Sequence, residues 1–341
     1  MQFFLTKLPC VRDLVSASVR IFAGYRGKIE NSLYFSGVCV IIDVADILRR
    51  RVVFGKKEKS VEKKIISGQT YGQERALYSL RDTVVRSCTF DGAEDGESAL
   101  KEARGVDVLD CLFALRYPLW HTEDFTLASS EMKETCRAPL WYSKNGVISN
   151  CKIDGVKCLR ECDAITVRQC GIVSPEFGWR CRDVKIYDSD VDSQYFMFES
   201  RNVTMDHTHM VGKYSFQNIE NMTIENSDLD TKDAFWHTKN VTVRNSVIKG
   251  EYLGWYSDGL TLIGCKIIGT QPLCYCNNLT LINCEMEDTD LSFEYSDVRA
   301  EIIGNIMSVK NPASGSIVAD SIGEIILENS VRELNCKITT R

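Results

Sequence analysis

Tyrosines, histidines and carboxylates recur at regular intervals along the sequence, and side chains of these types can bind sugars or carry acid–base chemistry. Aromatic rings offer flat apolar surfaces, whereas carboxylates and imidazoles hydrogen-bond hydroxyl groups or exchange protons with them. We therefore treat the set as a candidate surface for binding carbohydrate. Its members are Tyr117, His121, Tyr142, Glu161, Arg180, Glu199, His237, Tyr256, Tyr275 and Glu294.

Two of the acids could take part in catalysis only if the fold brings them together. Glu161 and Glu199 lie two repeats apart, with Arg180 between them. Carboxylates on neighbouring parallel strands lie about 5 Å apart, a separation that glycoside chemistry can use. The alternative interpretation is a solvated ladder of ion pairs. The sequence thus names no catalytic residue and leaves open whether the protein is an enzyme.

The sequence predicts no metal site and no cofactor. His207 and His209 are two residues apart and could share a metal ion, but no third ligand follows at a recognisable spacing. We therefore interpret Asp206–His209 as a surface turn. The sequence also lacks glycine-rich dinucleotide motifs, phosphate loops and nucleophile elbows.

A 19-residue repeat places every candidate residue except Tyr117 at an equivalent position, and Tyr117 lies four residues before His121 on the other side of the same strand. Each copy opens with alternating apolar residues, often apolar-Thr-apolar, and then reaches a corner residue such as Asn, Asp or Gly. Three short strands per copy, with no helix between them, predict an all-β fold, a single-stranded parallel β-helix of about 13 coils. The regular copies begin at Ile165, Val184, Val203, Met222, Val241, Leu260 and Leu279.

The 15 cysteines fit this repeat better than they fit a disulfide network. Their number is odd, and six of them share a slot five residues after a coil start, so we predict that they stack as small reduced core residues. Reduced thiols favour a cytoplasmic location. The six are Cys88, Cys111, Cys151, Cys170, Cys265 and Cys284.

Composition argues against two kinds of partner. The formal net charge of −6 does not suit general binding to nucleic acid, which needs a basic face. The longest apolar run, Val38–Val44, is interrupted by Asp43 and is too short to cross a membrane. We predict no nucleic-acid and no membrane partner, which leaves an oligo- or polysaccharide, or a second copy of the chain in a homo-oligomer.

All five tryptophans occupy one slot of the predicted third strand, five residues before a coil start. If they point inward, as we expect, alternation along the strand turns the preceding slot outward as a continuous apolar row, which usually marks a binding surface. If they point outward, the tryptophans themselves form the surface. The slot holds Trp120, Trp141, Trp179, Trp236 and Trp255, with Phe198 and Phe293 in two further coils. The preceding slot holds Leu119, Leu140, Leu159, Met197, Phe216, Phe235 and Leu273.

Residues 1–64 do not share the repeat. We predict a non-repeat extension there, helical or poorly ordered, followed by the β-helix domain over residues 65–341. The charged run Lys56–Lys64 has the composition of a solvated linker. The extension is a further candidate to cover the apolar row.

Several phrases in residues 65–341 carry a resemblance to a known family. They are GQERALYSL, SALKEARGVDVLDCLF, YPLWHTEDF, APLWYSKN, DAFWHTKNVTVRNSVIKGEYLGWYSDGL and LSFEYSDV. With them, the chain resembles the right-handed parallel β-helix proteins of the pectin-lyase-like superfamily, and more narrowly an uncharacterised bacterial family known only as a domain of unknown function. The resemblance implies the fold and brings no assigned activity. The superfamily includes polysaccharide lyases and hydrolases, but their Asp-Asp, Gly-His-Gly and Arg-x-Lys signatures are missing here.

The sequence therefore predicts a soluble cytoplasmic β-helix whose aromatic and acidic third-strand face binds carbohydrate, with catalysis unproven. Two alternatives stay open. The first is a non-catalytic module for protein interaction or oligomerisation, and the second is a polysaccharide lyase or glycoside hydrolase. The choice depends on which rows of the third strand meet solvent, since fold alone does not decide function.

Overall fold

The computed structural model describes residues 33–35, 38–40, 63–92 and 96–341, which belong to two compact units, Met1–Val61 and Glu62–Arg341. In the first unit, β1 (Leu33–Phe35) pairs antiparallel with β2 (Val38–Val40). The prediction of a helical or poorly ordered extension over residues 1–64 otherwise lies outside the described residues. No helical segment of the described residues has the length and apolar character needed to cross a membrane.

The second unit is an all-β parallel β-helix of about 14 turns, which confirms the predicted fold class. Each coil has three sides, and the strands of the first side stack in parallel. Paired residues on this side lie 19 residues apart in the regular region, as in Val203 to Met222 to Val241. The strands of this side are β3 (Lys64–Ser67), β5 (Thr83–Arg86), β7 (Asp107–Leu109), β9 (Glu123–Ala128), β12 (Lys144–Ser149), β15 (Asp163–Arg168), β17 (Arg182–Tyr187), β19 (Arg201–Asp206), β21 (Glu220–Glu225), β23 (Lys239–Arg244), β25 (Asp258–Ile263), β27 (Leu279–Glu287), β28 (Asp297–Ile303), β30 (Ser314–Ala319) and β32 (Lys337–Thr340).

A second side stacks in the same way, and the long strand β27 runs through both sides. Towards the C-terminus this side continues in a separate parallel pair. The strands of the second side are β4 (Thr70–Tyr71), β6 (Thr89–Phe90), β8 (Leu112–Phe113), β10 (Glu131–Met132), β13 (Lys152–Ile153), β16 (Gly171–Val173), β18 (Asp190–Gln194), β20 (His209–Lys213), β22 (Asp228–Lys232), β24 (Val247–Lys249), β26 (Lys266–Ile268), β29 (Asn305–Lys310) and β31 (Ser321–Ile326).

The third side is where the structure departs from the predicted three strands. Only two short strands form there among the described residues, β11 (Leu140–Trp141) and β14 (Leu159–Arg160). In every coil from Tyr117 to Tyr275 the side lies between two residues of positive φ, four positions apart, as at Tyr252 (57°) and Tyr256 (59°). Left-handed residues at both ends leave three positions between them, too few for the alternation of an extended strand.

The cysteine slot is buried, as predicted. All six members are at most 4% exposed, and the cysteines within residues 63–92 and 96–341 are free thiols. Their Sγ atoms contact backbone carbonyls, as Cys284 does with Leu262 at 3.4 Å and Ile282 at 3.5 Å. Burial raises the pKa of the Cys111 thiol to about 11, so this side chain stays protonated at neutral pH.

The predicted corner residues also adopt the conformation expected of them. Asn202, Asn221 and Asn240 have positive φ and stack on successive coils. Asn221 Nδ2 donates to Asn202 Oδ1, and Asn240 Nδ2 donates to Asn221 Oδ1, both at 3.3 Å. Asn tolerates left-handed angles better than most residues, and Gly259 takes the same corner one coil later with φ of 73°.

Replacing a fully buried side chain should destabilise the protein far more than replacing one on a strand's solvent face. Phe235→Ala removes a ring that is 1% exposed and should lower the free energy of unfolding by about 3 to 5 kcal/mol. Val147→Ala, at a side chain 42% exposed, should change it by about 0.5 kcal/mol. Urea unfolding followed by circular dichroism measures both, and equal losses would contradict the assignment of Phe235 to the core.

Candidate functional site

The tryptophans lie on the outside of the third side, and the expectation that they point inward is wrong. All five are half-buried, whereas the row expected to face solvent is buried. The reason is the short segment between left-handed corners, because two consecutive residues there turn inward and the third turns outward. The buried row comprises Leu119, Leu140, Leu159, Met197, Phe216, Phe235 and Leu273, each at most 1% exposed.

A hydrogen bond attaches each indole to the backbone of the β-helix. The Nε1–H of Trp236 donates to the carbonyl oxygen of Tyr252 at 2.6 Å, and that of Trp255 to Gln271 at 2.8 Å. The acceptor is in each case the left-handed corner residue of the following coil. Trp120, Trp141 and Trp179 make the same bond to Ala138, Lys157 and Tyr195.

Other side chains continue this row where tryptophan is replaced. The Nε2 of Gln217 donates to the carbonyl oxygen of Asp233 at 3.2 Å, which is the same bond made by an amide. Arg160 lies between two indoles, with its guanidinium carbon 4.6 Å from the ring centroid of Trp141 and 4.8 Å from that of Trp179. We name as the indole row Trp120, Trp141, Arg160, Trp179, Phe198, Gln217, Trp236 and Trp255.

Two pairs of indoles in the indole row are stacked, whereas Trp179 and Phe198 meet at an interplanar angle of 46°. The centroids of Trp120 and Trp141 are 5.3 Å apart with an interplanar angle of 6°, and those of Trp236 and Trp255 are 5.5 Å apart at 9°. A stacked face is no longer available to a ligand. Contact with a sugar would therefore use indole edges and the polar groups beside them.

The candidate residues flank the indole row. The residue after each indole-row position, together with Tyr275 in the next coil, forms a second row. We name it the His/Tyr row, and its members are His121, Tyr142, Glu161, Arg180, Glu199, Asn218, His237, Tyr256 and Tyr275. Its rings are stacked, with centroids 4.9 Å apart for His121 and Tyr142, 5.0 Å for His237 and Tyr256, and 4.9 Å for Tyr256 and Tyr275. Of these rings, His121, His237 and Tyr256 are exposed, whereas Tyr142 and Tyr275 are half-buried.

On the opposite flank, tyrosines occupy the left-handed corner. Tyr117 packs against Trp120 with centroids 4.6 Å apart, and Tyr195 stacks on Tyr214 at 4.9 Å. Together the indole row and its two flanks form one surface, the aromatic strip. Of the predicted candidates, His121, Glu161, Arg180, Glu199, His237 and Tyr256 are exposed, whereas Tyr117, Tyr142, Tyr275 and Glu294 are half-buried. Their role in binding stays a prediction.

Two of the acidic candidates, Glu199 and Glu294, are engaged in ion pairs. Arg180 Nε lies 2.8 Å from Glu199 Oε2, and Glu199 raises the pKa of Arg180 through this bond and its charge. Lys310 Nζ lies 3.0 Å from Glu294 Oε1. The contact between Arg180 and Glu199 matches part of the ion-pair interpretation, whereas Glu161 forms no ion pair with Arg180.

The sequence pattern misplaced one aromatic residue and missed another. Phe293 was expected in the tryptophan slot, but it is fully buried and follows Leu273 in the buried row. The spacing there is 20 residues instead of 19, so the register moves by one, and Phe293 N–H donates to the carbonyl of Pro272. Tyr295 then takes the next place in the His/Tyr row, 5.8 Å from Tyr275. The longer spacing was the available signal.

Tyr275 keeps its phenolic proton over a wide pH range. Burial raises the pKa of this tyrosine, and the carboxylate of Glu294 raises it further. The hydroxyl therefore remains a hydrogen-bond donor as well as an acceptor at neutral pH.

Among residues 63–92 and 96–341, no group of three or more His, Cys, Asp or Glu side chains is placed to hold a metal ion. His207 is exposed, and its Nδ1 lies 2.9 Å from Asp206 Oδ1. His209 Nδ1 lies 3.6 Å from Asp228 Oδ2, at the start of the second side. Both histidines pair with neighbouring carboxylates away from the aromatic strip.

The fold and the strip together define a parallel β-helix with one edge-on aromatic face. The chain belongs to the family described as protein of unknown function (DUF3737), whose model matches residues 64–339. No curated protein matches the chain.

Solved structures resemble it at low identity. The A-module of mannuronan C-5 epimerase AlgE4 from Azotobacter vinelandii is 9% identical, with 81% of this chain and 91% of that chain covered and a TM-score of 0.33. The periplasmic alginate epimerase AlgG is 8% identical, covering 81% and 73%, with a TM-score of 0.29. Tailspike protein 3 of bacteriophage CBA120 is 9% identical, covering 96% and 69%, with a TM-score of 0.26.

Removing an indole N–H without removing the ring tests the role of the tryptophans. Trp236→Phe should keep an aromatic ring in the stack but leave the carbonyl of Tyr252 without its donor, lowering the free energy of unfolding by about 1 kcal/mol. The reverse change, Phe198→Trp, places a donor where the row has none and serves as the matched control. Urea unfolding measures both, and an equal loss in the two variants would contradict the proposed bond.

Asp233 should make stability depend on pH. Its side chain is 7% exposed, and burial raises the pKa of its carboxyl above the ordinary 3.8. The folded protein therefore holds this proton to a higher pH than the unfolded chain, so stability falls as pH rises from 3.8 through the raised pKa.

Asp233→Asn removes this dependence. The melting temperature of the variant relative to the wild type should increase across a pH series that begins below 3.8. An offset between the two proteins that stays constant with pH would show that Asp233 does not titrate differently on folding.

Proposed function

We propose that the aromatic strip is a non-catalytic binding surface for carbohydrate, and that it accepts a linear polysaccharide lying along the rod. The observation that carries this proposal is the pair of ring stacks in the His/Tyr row, His121 with Tyr142 and His237 with Tyr256 and Tyr275, whose neighbouring centroids lie 4.9 to 5.0 Å apart. A polymer of similar sugar units presents hydroxyl groups at regular intervals. Regularly spaced phenol and imidazole groups can hydrogen-bond them one after another.

The chemistry of the strip suits an uncharged, hydroxyl-rich ligand. Tyrosine hydroxyls donate and accept hydrogen bonds, and so do neutral imidazoles through their two nitrogens. Indole edges supply apolar contact beside these polar groups, a combination common at recognition surfaces. The indole N–H groups are already bonded to backbone carbonyls, so the phenols and imidazoles must provide the specificity.

The alternatives have less support. An interaction module was suggested by an apolar row facing solvent, and that row is buried. A lyase or hydrolase would need carboxylates placed to act together, whereas Glu199 and Glu294 are paired with Arg180 and Lys310. A cytoplasmic location remains part of the proposal, and the free thiols of the described cysteines favour it.

Affinity electrophoresis in gels containing single soluble polysaccharides, neutral and acidic, tests the proposal. We expect the wild type to be retarded by at least one neutral polysaccharide. The double variant His237→Ala, Tyr256→Ala should lose most of the retardation because it removes an exposed stacked pair from the strip.

The control is Val173→Ala with Val211→Ala, two exposed side chains on the second side, which should leave retardation unchanged. Retardation by none of the polysaccharides, or equal retardation of wild type and His237→Ala, Tyr256→Ala protein, would refute the proposal. Light scattering of the same samples tests the alternative partner, a second copy of the chain. In that case the wild type would be a dimer, and the His237→Ala, Tyr256→Ala variant would be a monomer.

A further inference from the structure

The aromatic strip contains the same constellation twice. The sequence Leu-Trp-His-Thr at residues 119–122 is followed one coil later by Leu-Trp-Tyr-Ser at 140–143, and Phe-Trp-His-Thr at 235–238 is followed one coil later by Gly-Trp-Tyr-Ser at 254–257. The chain has five tryptophans and four histidines, and these two constellations hold four of the tryptophans and two of the histidines. We name them subsite 1 and subsite 2.

The two subsites agree in geometry as well as in sequence. In subsite 1 the His121 and Tyr142 centroids are 4.9 Å apart at 15°, and in subsite 2 those of His237 and Tyr256 are 5.0 Å apart at 7°. The indole pairs beneath them stack at 5.3 and 5.5 Å.

The supports of the two subsites match too. The first indole N–H donates to a corner carbonyl at 2.6 Å and the second at 2.8 Å in both subsites. The residue that follows each ring of the His/Tyr row is a buried hydroxyl, Thr122 and Ser143 in subsite 1, Thr238 and Ser257 in subsite 2. The two subsites thus share the indole bonds and the positions of the hydroxyls. The hydroxyl contacts differ, since Thr122 Oγ1 donates to the carbonyl of Leu100 and Thr238 Oγ1 has no hydrogen-bond partner among the described residues.

The coils between the subsites do not carry this constellation. The indole row passes from Trp120 through Trp141, Arg160, Trp179, Phe198 and Gln217 to Trp236, which is six coil steps. At roughly 4.8 Å for each step between parallel strands, the subsites are about 30 Å apart. Charged pairs occupy the His/Tyr row between them, as in Arg180 with Glu199.

We propose that subsites 1 and 2 are equivalent and bind a single polysaccharide chain at two points. This inference rests on the proposed function. It adds that the ligand must repeat its own structure and must be long enough to span about 30 Å.

The direction of the two subsites favours a polymer over a second copy of the protein. In both subsites the histidine precedes the tyrosine by one coil, so translation along the rod relates them. A linear polymer has this translational repeat. A twofold dimer would instead run the partner's order in reverse and pair unlike groups.

Two-point attachment has a measurable consequence. Once one subsite holds the chain, the second binds at a high effective concentration, and affinity rises on the order of a hundredfold if the chain spans both. A chain too short to span them gains nothing and fills the subsites independently.

Isothermal titration calorimetry with size-fractionated cello-, xylo- and laminari-oligosaccharides tests the inference. The series that matches the polysaccharide retarding the wild type is the one compared across chain lengths. Short oligomers should bind wild type at two equivalent sites. The variants His121→Ala, Tyr142→Ala and His237→Ala, Tyr256→Ala should each bind short oligomers at one site with unchanged affinity. His207→Ala, an exposed histidine outside the strip, is the control and should behave as wild type.

Chains longer than the separation should bind wild type at one site, on the order of a hundredfold more tightly than short oligomers, and either double variant should lose this gain. Binding at one site that only one double variant removes, or equal affinity for short and long chains, would overturn the inference and leave the proposed function standing. Binding of no oligomer or polysaccharide would refute the proposed function itself. A wild-type dimer that either double variant dissociates would assign the subsites to a subunit interface and overturn the inference.

Discussion

Each coil of this protein completes its backbone hydrogen bonds on the coils before and after it, and the rest of the structure depends on that requirement. Buried peptide groups must be paired, and on two sides the parallel strands pair them. On the third side backbone bonds still join successive coils, as from Tyr256 N–H to the carbonyl of Cys274. Side-chain N–H groups, such as that of Trp236, bond the carbonyls of the left-handed corners. Each tryptophan therefore donates a hydrogen bond to a backbone carbonyl, and these bonds determine where the aromatic surface lies.

The same requirement places like residues above like. Because a coil in the regular region has 19 residues and bonds to its neighbours in register, any side chain that recurs with the repeat becomes a column. Asn240 stands on Asn221, and Tyr256 stands on His237. Stacking covers the ring faces that meet and leaves the ring edges uncovered.

Much of the fold could be predicted from the sequence, since the repeat fixes which residues are equivalent. The columns of cysteine and asparagine follow from that register alone. The direction of the tryptophans could not be predicted by alternation, because the rule holds for extended chain and Tyr252 and Tyr256 are left-handed. Phe293 was misplaced by a single additional residue in its coil. Arg160 between two indoles gave no sequence signal, since the contact depends on the position of the guanidinium and not on a motif.

The 19-residue coil gives the rod a unit of length. In a solenoid each repeat contacts only its neighbours, so one coil can be gained or lost with little effect on distant ones. The separation between Trp120 and Trp236 can therefore change only in steps of one coil, roughly 4.8 Å, while the local geometry at each end is preserved. The number of coils between the two tryptophans sets this distance, and insertion or deletion of a single repeat would change it by one step.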